Sequence, residues 1–465
     1  MSIFERGNAR PWAAMHNNIV EFMGGNQTGA IVQPLAVAER ASWDTDNPFL
    51  NAYHENRIAN AVPTWNPLYI PSGRMVPDEY QAFLDRLNSS VIDGAGVADP
   101  DRLKKINKER WDAQDKLQKN EYFVNKQWER YLANNNGNPP LSRKQWEVDF
   151  GFSAIRRSLQ RRVQVALAAY MREVNDAGGE LLEIGRALAA LSDPRQQILL
   201  PQDELDIRLG SENWQSVYRA GLEDNLPDFL RDEFALEMSI SDASTHTTRF
   251  EERWSASASA GWFGVFGAGG GASNETIRKR SEADTNSVKI SFKNIQSFPV
   301  FRGNWFKGGL VSQFRDRMPP SFWGRGGRLN LIPTSVILVR GVRIEMQTSS
   351  EVSTYYFNKR VAGGRAGFKI GPFSFGGSGS RTTVHEETTF EQTANGLVIE
   401  DKSERAQVLA VVSIRQSDLL RDGADRLEAE SEMMSENDIN EGMRLVEAAR
   451  REQSTSEFMS LVSTQ

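Results

Sequence analysis

The chain has 465 residues, of which 39% are hydrophobic and 25% charged, and its net charge is −6. This length favours two or three domains, and this composition supports a hydrophobic core and excludes a wholly disordered chain. The absence of cysteine excludes disulfides, thiolate metal sites and cysteine nucleophiles. Because the sequence shows no Sec signal peptide and no long apolar window, we predict a cytoplasmic protein, or one exported without such a signal.

The first half of the chain predicts an arm followed by helices. Residues 1–98 are rich in Asn, Pro and Gly and carry isolated aromatic residues, which predicts an extended, aromatic-rich arm that packs onto a larger body. Residues 99–236 predict a helical domain, because Asp99 and Pro100 form a helix-start signal and apolar residues then recur every three or four positions. Its later helices are expected over 155–174, 181–191 and 212–236.

The second half of the chain predicts a sheet. Near Glu237 the apolar period changes from helical spacing to alternation, which predicts a mainly antiparallel β domain over 237–415. The runs 336–339 and 408–412 are apolar on both faces and predict central strands. The segment 416–465 has twelve acidic and five basic residues and predicts an acidic helical tail, either solvated or docked on the mildly basic region 236–415 of the same or a neighbouring subunit. The expected fold class is therefore α+β.

Two long Gly-rich and aromatic hairpins are predicted within the β domain. The first covers 249–280, with a turn at Gly264 and Val265 between strands 249–263 and 266–280. The second covers 353–388. The residues proposed to line the first stem are Trp254, Ala256, Ala258, Ala260, Gly269 and Gly271. The residues proposed for the two tips are Trp262, Phe263, Val265, Phe266, Phe368, Ile370, Phe373 and Phe375.

These hairpins predict a function in assembly. Small side chains allow another backbone to approach closely, and a long bare hairpin edge needs a partner strand. We therefore expect a non-enzymatic homo-oligomer whose hairpins pair between subunits in a ring, tube or shell. The alternative is a pore-forming or membrane-disrupting effector that oligomerises and inserts its aromatic tips. Each strand is long enough to cross a bilayer, but the Ala and Gly face and the stem cations Arg365 and Lys369 argue against full spanning, so only the tips are expected to enter the membrane. Ordinary surface hairpins without such a role remain a third interpretation.

The sequence offers little sign of catalysis. The run GAGGGA at 267–272 fits a dinucleotide-binding pattern, but no apolar helix stripe follows it, and the four histidines lack metal-ligand spacing. We therefore expect no cofactor, no metal and, without a dense basic stripe, no nucleic-acid partner. One set of aromatic and basic residues favours either a ligand or subunit contact, or simple capping of the β core. Its members are Arg302, Trp305, Trp323, Arg325 and Arg328.

Overall fold

A computed structural model of the chain describes residues 4, 9–24, 30–39, 48–94, 99–135, 140–201, 214–222, 229, 233–241, 261–266, 271–323, 326–363, 367–375, 388–402 and 406–415. These residues form helices and antiparallel sheets, which confirms the expected α+β fold class. The predicted acidic tail at 416–465 lies outside the described residues.

Helices dominate the first half of the chain and recur between strands in the second half. Their bounds are α1 (Ala9–Phe22), α2 (Pro48–Asn60), α3 (Val76–Gly94), α4 (Pro100–Asn134), α5 (Arg143–Asp149), α6 (Phe152–Ala177), α7 (Gly179–Leu191), α8 (Gly271–Asp284), α9 (Gly308–Gln313), α10 (Pro320–Trp323) and α11 (Ser350–Gly363). The start of α4 agrees with the sequence pattern, because the Asp99 side chain accepts a hydrogen bond from the Arg102 amide and Pro100 follows it.

The strands are short, and every pairing between them is antiparallel within the described residues. Their bounds are β1 (Ala30–Glu39), β2 (Ala61–Pro63), β3 (Pro71–Met75), β4 (Gln197–Pro201), β5 (Trp214–Tyr218), β6 (Ala220–Leu222), β7 (Leu236–Ile240), β8 (Phe263–Phe266), β9 (Ser287–Phe292), β10 (Asn294–Arg302), β11 (Leu331–Arg340), β12 (Arg343–Gln347), β13 (Gly367–Ile370), β14 (Phe373–Phe375), β15 (Thr388–Thr393), β16 (Gly396–Asp401) and β17 (Gln407–Arg415).

The two largest sheets have five strands each, and two strands of one sheet lead almost directly into strands of the other. Their strand orders are β1-β17-β11-β10-β6 and β15-β16-β12-β9-β7. Only Lys293 separates β9 from β10, and only Gly341 and Val342 separate β11 from β12, so we treat the pair as one bent central sheet. Gly341 has a φ of 60°, and a Cβ there would lie 2.5 Å from Lys293 Cγ. A glycine is therefore required where the sheet bends.

The hydrophobic core has two main parts. The larger cluster lies between the central sheet, α1 and α11 and includes Trp262 and Tyr356. The second cluster joins α3, α6 and α7 to the loop that carries Trp305 and Trp323. The helices α4, α5 and α6 form a protrusion that we call the helical arm, whose 35-residue α4 is about 52 Å long. The far end of this arm has its own small cluster around Trp128 and Trp146.

Two predicted segments differ from the structure. The extended arm over 1–98 is wrong, because this region contains α1, α2 and α3 as well as short strands. The buried residues of α3 do recur at helical spacing, but the surrounding Asn, Gly and Pro residues hid that signal. The predicted helix over 212–236 is also wrong for its described part, since β5 pairs with β4 and β6 pairs with β10.

Candidate assembly site

The aromatic tips predicted from the sequence are buried against the chain itself. The Trp262 ring lies 5.0 Å from the Trp12 ring in an edge contact, and Phe263 lies 5.2 Å from Phe4. Both tip residues are at most 1% exposed, as are Ile370, Phe373 and Phe375. The expectation that these five tips are free to contact a membrane or another subunit is therefore wrong for this conformation. Burial of such large rings stabilises this arrangement of the tip residues.

The two predicted hairpins are also not formed as predicted. Gly264 and Val265 lie inside β8 and not in a turn, and residues 271–280, expected in a strand, belong to α8. In the second region α11 replaces most of the first predicted strand. Gly271 begins α8, while the other proposed stem residues lie outside the described residues; these are Trp254, Ala256, Ala258, Ala260 and Gly269. Val265, Phe266 and Phe368 lie in strands β8 and β13.

Three short strands nevertheless bring the two tip regions together. They form a sheet in the order β14-β13-β8, which we call the tip sheet. Gly371 donates its amide to the Trp262 carbonyl at 2.7 Å, and Phe373 contacts Phe292 of the central sheet with ring centroids 6.0 Å apart. The sequence predicted a separate hairpin in each region, and it did not show that the two regions pair with each other in one sheet.

Two long connections leave the same end of the central sheet. The strands β7 and β9 are neighbours, yet the first connection between them spans 241–286. The strands β12 and β16 are also neighbours, and the second connection between them spans 348–395. The pairs Ile240–Val288 and Gln347–Gly396 mark the points where the chain leaves and re-enters the sheet. Antiparallel neighbours need only a few linking residues, so these connections are far longer than pairing requires.

The tip sheet continues the register of the central sheet across the second connection. Counting outward one residue at a time on both strands from the Gln347–Gly396 pair reaches the Ile370–Phe373 pair. That same pair is formed between β13 and β14 in the tip sheet. The two pairings are separated by α11 and by residues outside the described part of the chain. The second connection therefore has, at both ends, the register of one uninterrupted hairpin.

The two intervening helices also lie opposite each other in this register. Counting outward from the Gln347–Ser287 pair of β12 and β9 places Ser350 opposite Asp284 and Gly363 opposite Gly271. These four residues are the first and last residues of α11 and α8, which have 14 residues each. The same count places Ile370 opposite Gly264, one residue away from the observed partner Phe263. The helices thus occupy matching positions between two pieces of sheet with nearly the same register.

The first connection shows the same relation in a simpler form. Counting outward from the Ile240–Val288 pair makes the two strands meet at Gly264. This residue lies in the middle of the aromatic run 262–266, and the sequence pattern alone placed the hairpin apex at Gly264 and Val265. The outward count and the turn predicted from the sequence thus fall at the same place and differ by one residue in register, although in the structure Gly264 lies inside β8.

Strand β15 covers the outer edge of β16. It pairs with β16 through contacts such as Phe390 with Ile399, and Gln392 donates its side-chain amide to the Thr354 hydroxyl of α11 at 2.8 Å. In the register of the second connection, Thr393 would instead lie opposite Ser350 and Thr388 opposite Tyr355. In the structure β15 pairs with β16 and covers its outer edge, whereas the outward count would pair the same residues with residues of α11.

Helix α1 holds the tip sheet in place. Lys369 Nζ lies 5.4 Å from the Trp12 ring centre, and Asn18 donates to the Ser239 carbonyl at 3.4 Å next to the first connection. Burial lowers the pKa of His16 on the same helix from 6.5 to about 4, although hydrogen bonds with Asn17 and Val32 partly oppose this shift. Sequence reasoning missed α1, although the spacing of its apolar residues could have revealed it.

The tryptophan and arginine set has structural partners among the described residues. The Trp305 and Trp323 indoles donate to the carbonyls of Arg219 and Arg315, at 2.8 and 3.1 Å, inside the second core cluster. Arg328 pairs with Glu79 at 2.6 Å.

Arg302, the remaining described member of this set, donates to the Ala59 carbonyl, and desolvation lowers its pKa to about 9. Arg325 lies outside the described residues. This geometry favours capping of the core over a ligand site.

Comparisons with known proteins add no further constraint. No protein-family model, no curated protein and no solved structure matches the chain. Among the described residues, no group of three or more His, Asp or Glu side chains is placed to hold a metal ion. No helix in this part of the chain combines the length and apolar character needed to cross a bilayer.

Proposed function

We propose that this protein is a non-enzymatic subunit of a homo-oligomer that assembles through an extended central sheet. In the assembled state the first and second connections become β-hairpins that continue β7, β9, β12 and β16 and pair between neighbouring subunits. The observation that carries the proposal is the agreement in register between the central sheet and the tip sheet, which is complete for β13 with β14 and differs by one residue for β13 with β8. Two 14-residue helices occupy matching positions between these sheets. Such agreement is expected if the same residues also pair as one longer sheet.

The sequence of the second connection suits this conversion. Residues of α11 include Val352, Tyr355 and Tyr356, which belong to types enriched in strands. A 14-residue helix is about 21 Å long, whereas the same residues span about 46 Å as a strand. Each hairpin arm of about 24 residues would then project roughly 80 Å from the sheet. Since the helical state buries the tips, the extended state requires new contacts that cover them.

Pairing between subunits would be coupled to extension through β15. When residues of β15 join the second hairpin opposite α11 residues, they leave the outer edge of β16 unpaired. An unpaired strand edge readily accepts a strand from another copy, and closure into a ring removes all open edges. The stored form would thus prevent premature association by covering the edge it later uses.

A pore in a membrane is the second candidate function, and the alternation of side chains in both hairpins favours it. Alternate residues from Trp254 to Trp262 are Trp, Ala, Ala, Ala and Trp, with serine and glycine between them. Alternate residues from Ala362 to Ile370 are Ala, Gly, Ala, Phe and Ile, and the residues between them include Arg365 and Lys369. One apolar and one polar face over about nine residues is typical of a strand in a transmembrane barrel.

A crosslink between α11 and β15 tests the assembly proposal. The chain lacks cysteine, so Thr354→Cys with Gln392→Cys can be joined selectively by a short bis-maleimide. We expect the crosslinked protein to remain monomeric, because it cannot adopt the hairpin register. The matched control is Gln197→Cys with Ser216→Cys, another Gln–hydroxyl contact, at 2.6 Å in the β4–β5 hairpin.

Light scattering and negative-stain images, with and without phosphatidylcholine–phosphatidylserine vesicles, would give the result. Assembly of the Thr354–Gln392 crosslinked protein would rule out the rearrangement. Failure of the unmodified protein to assemble under either condition would rule out the homo-oligomer.

Release of a dye from the same vesicles tests the membrane candidate separately. Ala258→Arg would place a cation on the apolar face, which costs about 2–4 kcal/mol at the bilayer midplane, and should abolish release. Ser257→Arg is the control, because it lies on the opposite face and should leave release intact. Equal release by both variants, or no release by the unmodified protein, would exclude a barrel of this orientation while leaving assembly in solution to the crosslinking test.

A further inference from the structure

Helix α6 presents an exposed row of arginines, and its first acidic residue is Glu173, which pairs with Arg102 of α4. Residues 150–172 contain five arginines and no Asp or Glu. Arg157, Arg161 and Arg172 are exposed and follow one another at helical spacing, together with exposed Val165 and Ala168. We call these five residues the arginine face. The buried side chains of α6, such as Tyr170 and Val174, lie on the opposite side of the helix.

The neighbouring helix shows that this pattern is unusual within the molecule. Helix α4 has nine basic and six acidic residues, and pairs such as Lys119 with Asp115 balance charge along its surface. On α6, Arg156 pairs with Glu147 at 2.6 Å, but Arg156 lies beside the arginine face and not on it. Helix α6 therefore concentrates positive charge that its own sequence does not balance, which favours an external anionic partner.

The chain itself contains a segment of complementary charge. Residues 425–441 include seven acidic residues and one arginine. Asp425, Glu428, Glu432 and Glu436 recur every three or four positions, which matches the spacing of the arginine face if the segment is helical. On such a helix Met433 would lie beside this acidic row, whereas Leu427 and Met434 would lie on the opposite side.

The length of chain after β17 limits how far the acidic segment can lie from the sheet. Strand β17 ends at Arg415, which pairs with Leu331 of β11. The adjacent Leu329 and Ile332 pack in the same hydrophobic cluster as Tyr170 of α6. About ten residues separate Arg415 from the acidic segment, and they can span up to roughly 33 Å, whereas a helix is only about 10–12 Å wide.

We propose that the acidic segment 425–441 docks on the arginine face of α6, in the same chain or in a neighbouring copy. The interaction is electrostatic, so it weakens as salt screens the charges. It does not depend on the proposed extension of the hairpins, since docking within one chain requires no assembly. In an oligomer the same contact between copies would add to the pairing of strands.

Distance measurements between two spin labels on the full-length chain test this docking. Labels at Gln160→Cys, beside the arginine face, and at Ser435→Cys, in the acidic segment, are unique because the chain lacks cysteine. We expect a narrow short-distance population at low salt that is lost at high salt and in the Arg157→Glu, Arg161→Glu variant. The matched control is Lys105→Glu with Lys108→Glu, two exposed lysines of α4, which should retain the population.

Charge reversal on both sides separates docking from misfolding. Adding Glu428→Arg and Glu432→Arg to the Arg157→Glu, Arg161→Glu variant should restore the short-distance population. Mixing chains that carry one label each distinguishes the two sources: a short distance in the mixture indicates docking between copies, and its absence there indicates docking within one chain. Identical, broad distributions in the unmodified protein and in every variant would overturn the proposal.

Discussion

The tip sheet and the helical arm treat similar side chains in opposite ways. In the tip sheet Trp262 and Phe373 are at most 1% exposed, although both lie in segments with abundant glycine. At the far end of the helical arm Tyr122 on α4 is 67% exposed, and Phe150, in the turn between α5 and α6, is 59% exposed. The chain therefore buries the aromatic groups of the tip sheet and leaves several of those on the helical arm exposed to solvent. Concealment is expected for surfaces that are used only after a rearrangement.

Substitution of the concealed tryptophan should have the largest effect on stability. Trp262→Ala removes a ring that contacts Trp12 and Phe4, and we expect it to lower the free energy of unfolding by about 3–5 kcal/mol. Trp111→Ala on the helical arm is the control, since Trp111 is half exposed and should change stability by less than about 0.5 kcal/mol. Denaturant titration of both variants measures the contrast, and equal losses would contradict it.

Acid should loosen the concealed region next. The pKa of His16 is lowered from 6.5 to about 4 in the folded protein, so the folded state favours the neutral imidazole. Its contribution to stability is therefore complete above pH 6.5 and is lost as the pH falls from 6.5 through about 4. The loss should be on the order of 3 kcal/mol. Unfolding titrations of the unmodified protein and of His16→Gln check this, because the variant should lack this part of the pH dependence.

The far end of the helical arm depends on a buried ion pair network more than on a large core. Glu147 contacts Arg143 at 3.0 Å and Arg156 at 2.6 Å. Burial alone would raise the pKa of Glu147, but hydrogen bonds and charges of Arg156 and Arg143 outweigh burial and lower it. Glu147→Gln should lower the free energy of unfolding by about 2 kcal/mol, because it leaves Arg143 and Arg156 without their carboxylate partner. The loss is moderate because Arg156 is partly exposed to water. Glu129→Gln, on an exposed pair with Lys126, should cost at most about 0.5 kcal/mol in the same thermal unfolding assay.

Removal of the displayed aromatic groups should have the smallest effect on folding. Tyr122→Ser with Phe150→Ser removes two exposed rings, so the free energy of unfolding should change by less than about 0.5 kcal/mol for each. Chemical denaturation measures this directly. A loss comparable with that of Trp262→Ala would mean that the arm and the tip sheet do not differ in the way described.

The helical arm could be predicted well from the sequence, and its success has a local cause. The N-cap Asp99, the following Pro100 and the regular apolar spacing of α6 are signals carried by neighbouring residues. The strands β11 and β17 were predictable for a similar reason, since runs of branched apolar residues that are buried on both faces form central strands. Where local signals agree with the tertiary environment, sequence reasoning finds the element.

The connections could be predicted only in part, because tertiary contacts decide their conformation. The alternation near Trp262 predicted a strand that reaches the tip, and β8 is a strand there. The predicted turn at Gly264 and Val265 is wrong for this structure, because both residues lie inside β8. Helix α11 was missed because residues such as Tyr355 and Tyr356 are compatible with a strand, and it is helical where Tyr356 packs into the core. Helix α8 was missed although its sequence places opposite charges at helical spacing, Glu275 with Lys279 and Arg278 with Glu282. The clamp formed by Trp12 of α1 depends on residues about 250 positions apart, which no local pattern reveals.

The distance between the tip sheet and the central sheet tests the proposed extension of the two connections most directly. In the structure Phe373 and Phe292 have ring centroids 6.0 Å apart. Labels at the neighbouring positions, Ser374→Cys and Lys293→Cys, should therefore be close in the monomer. In the assembled protein we expect the two labels to be roughly 80 Å or more apart, because the connections are then extended strands. A short distance that persists in the assembled protein would contradict it.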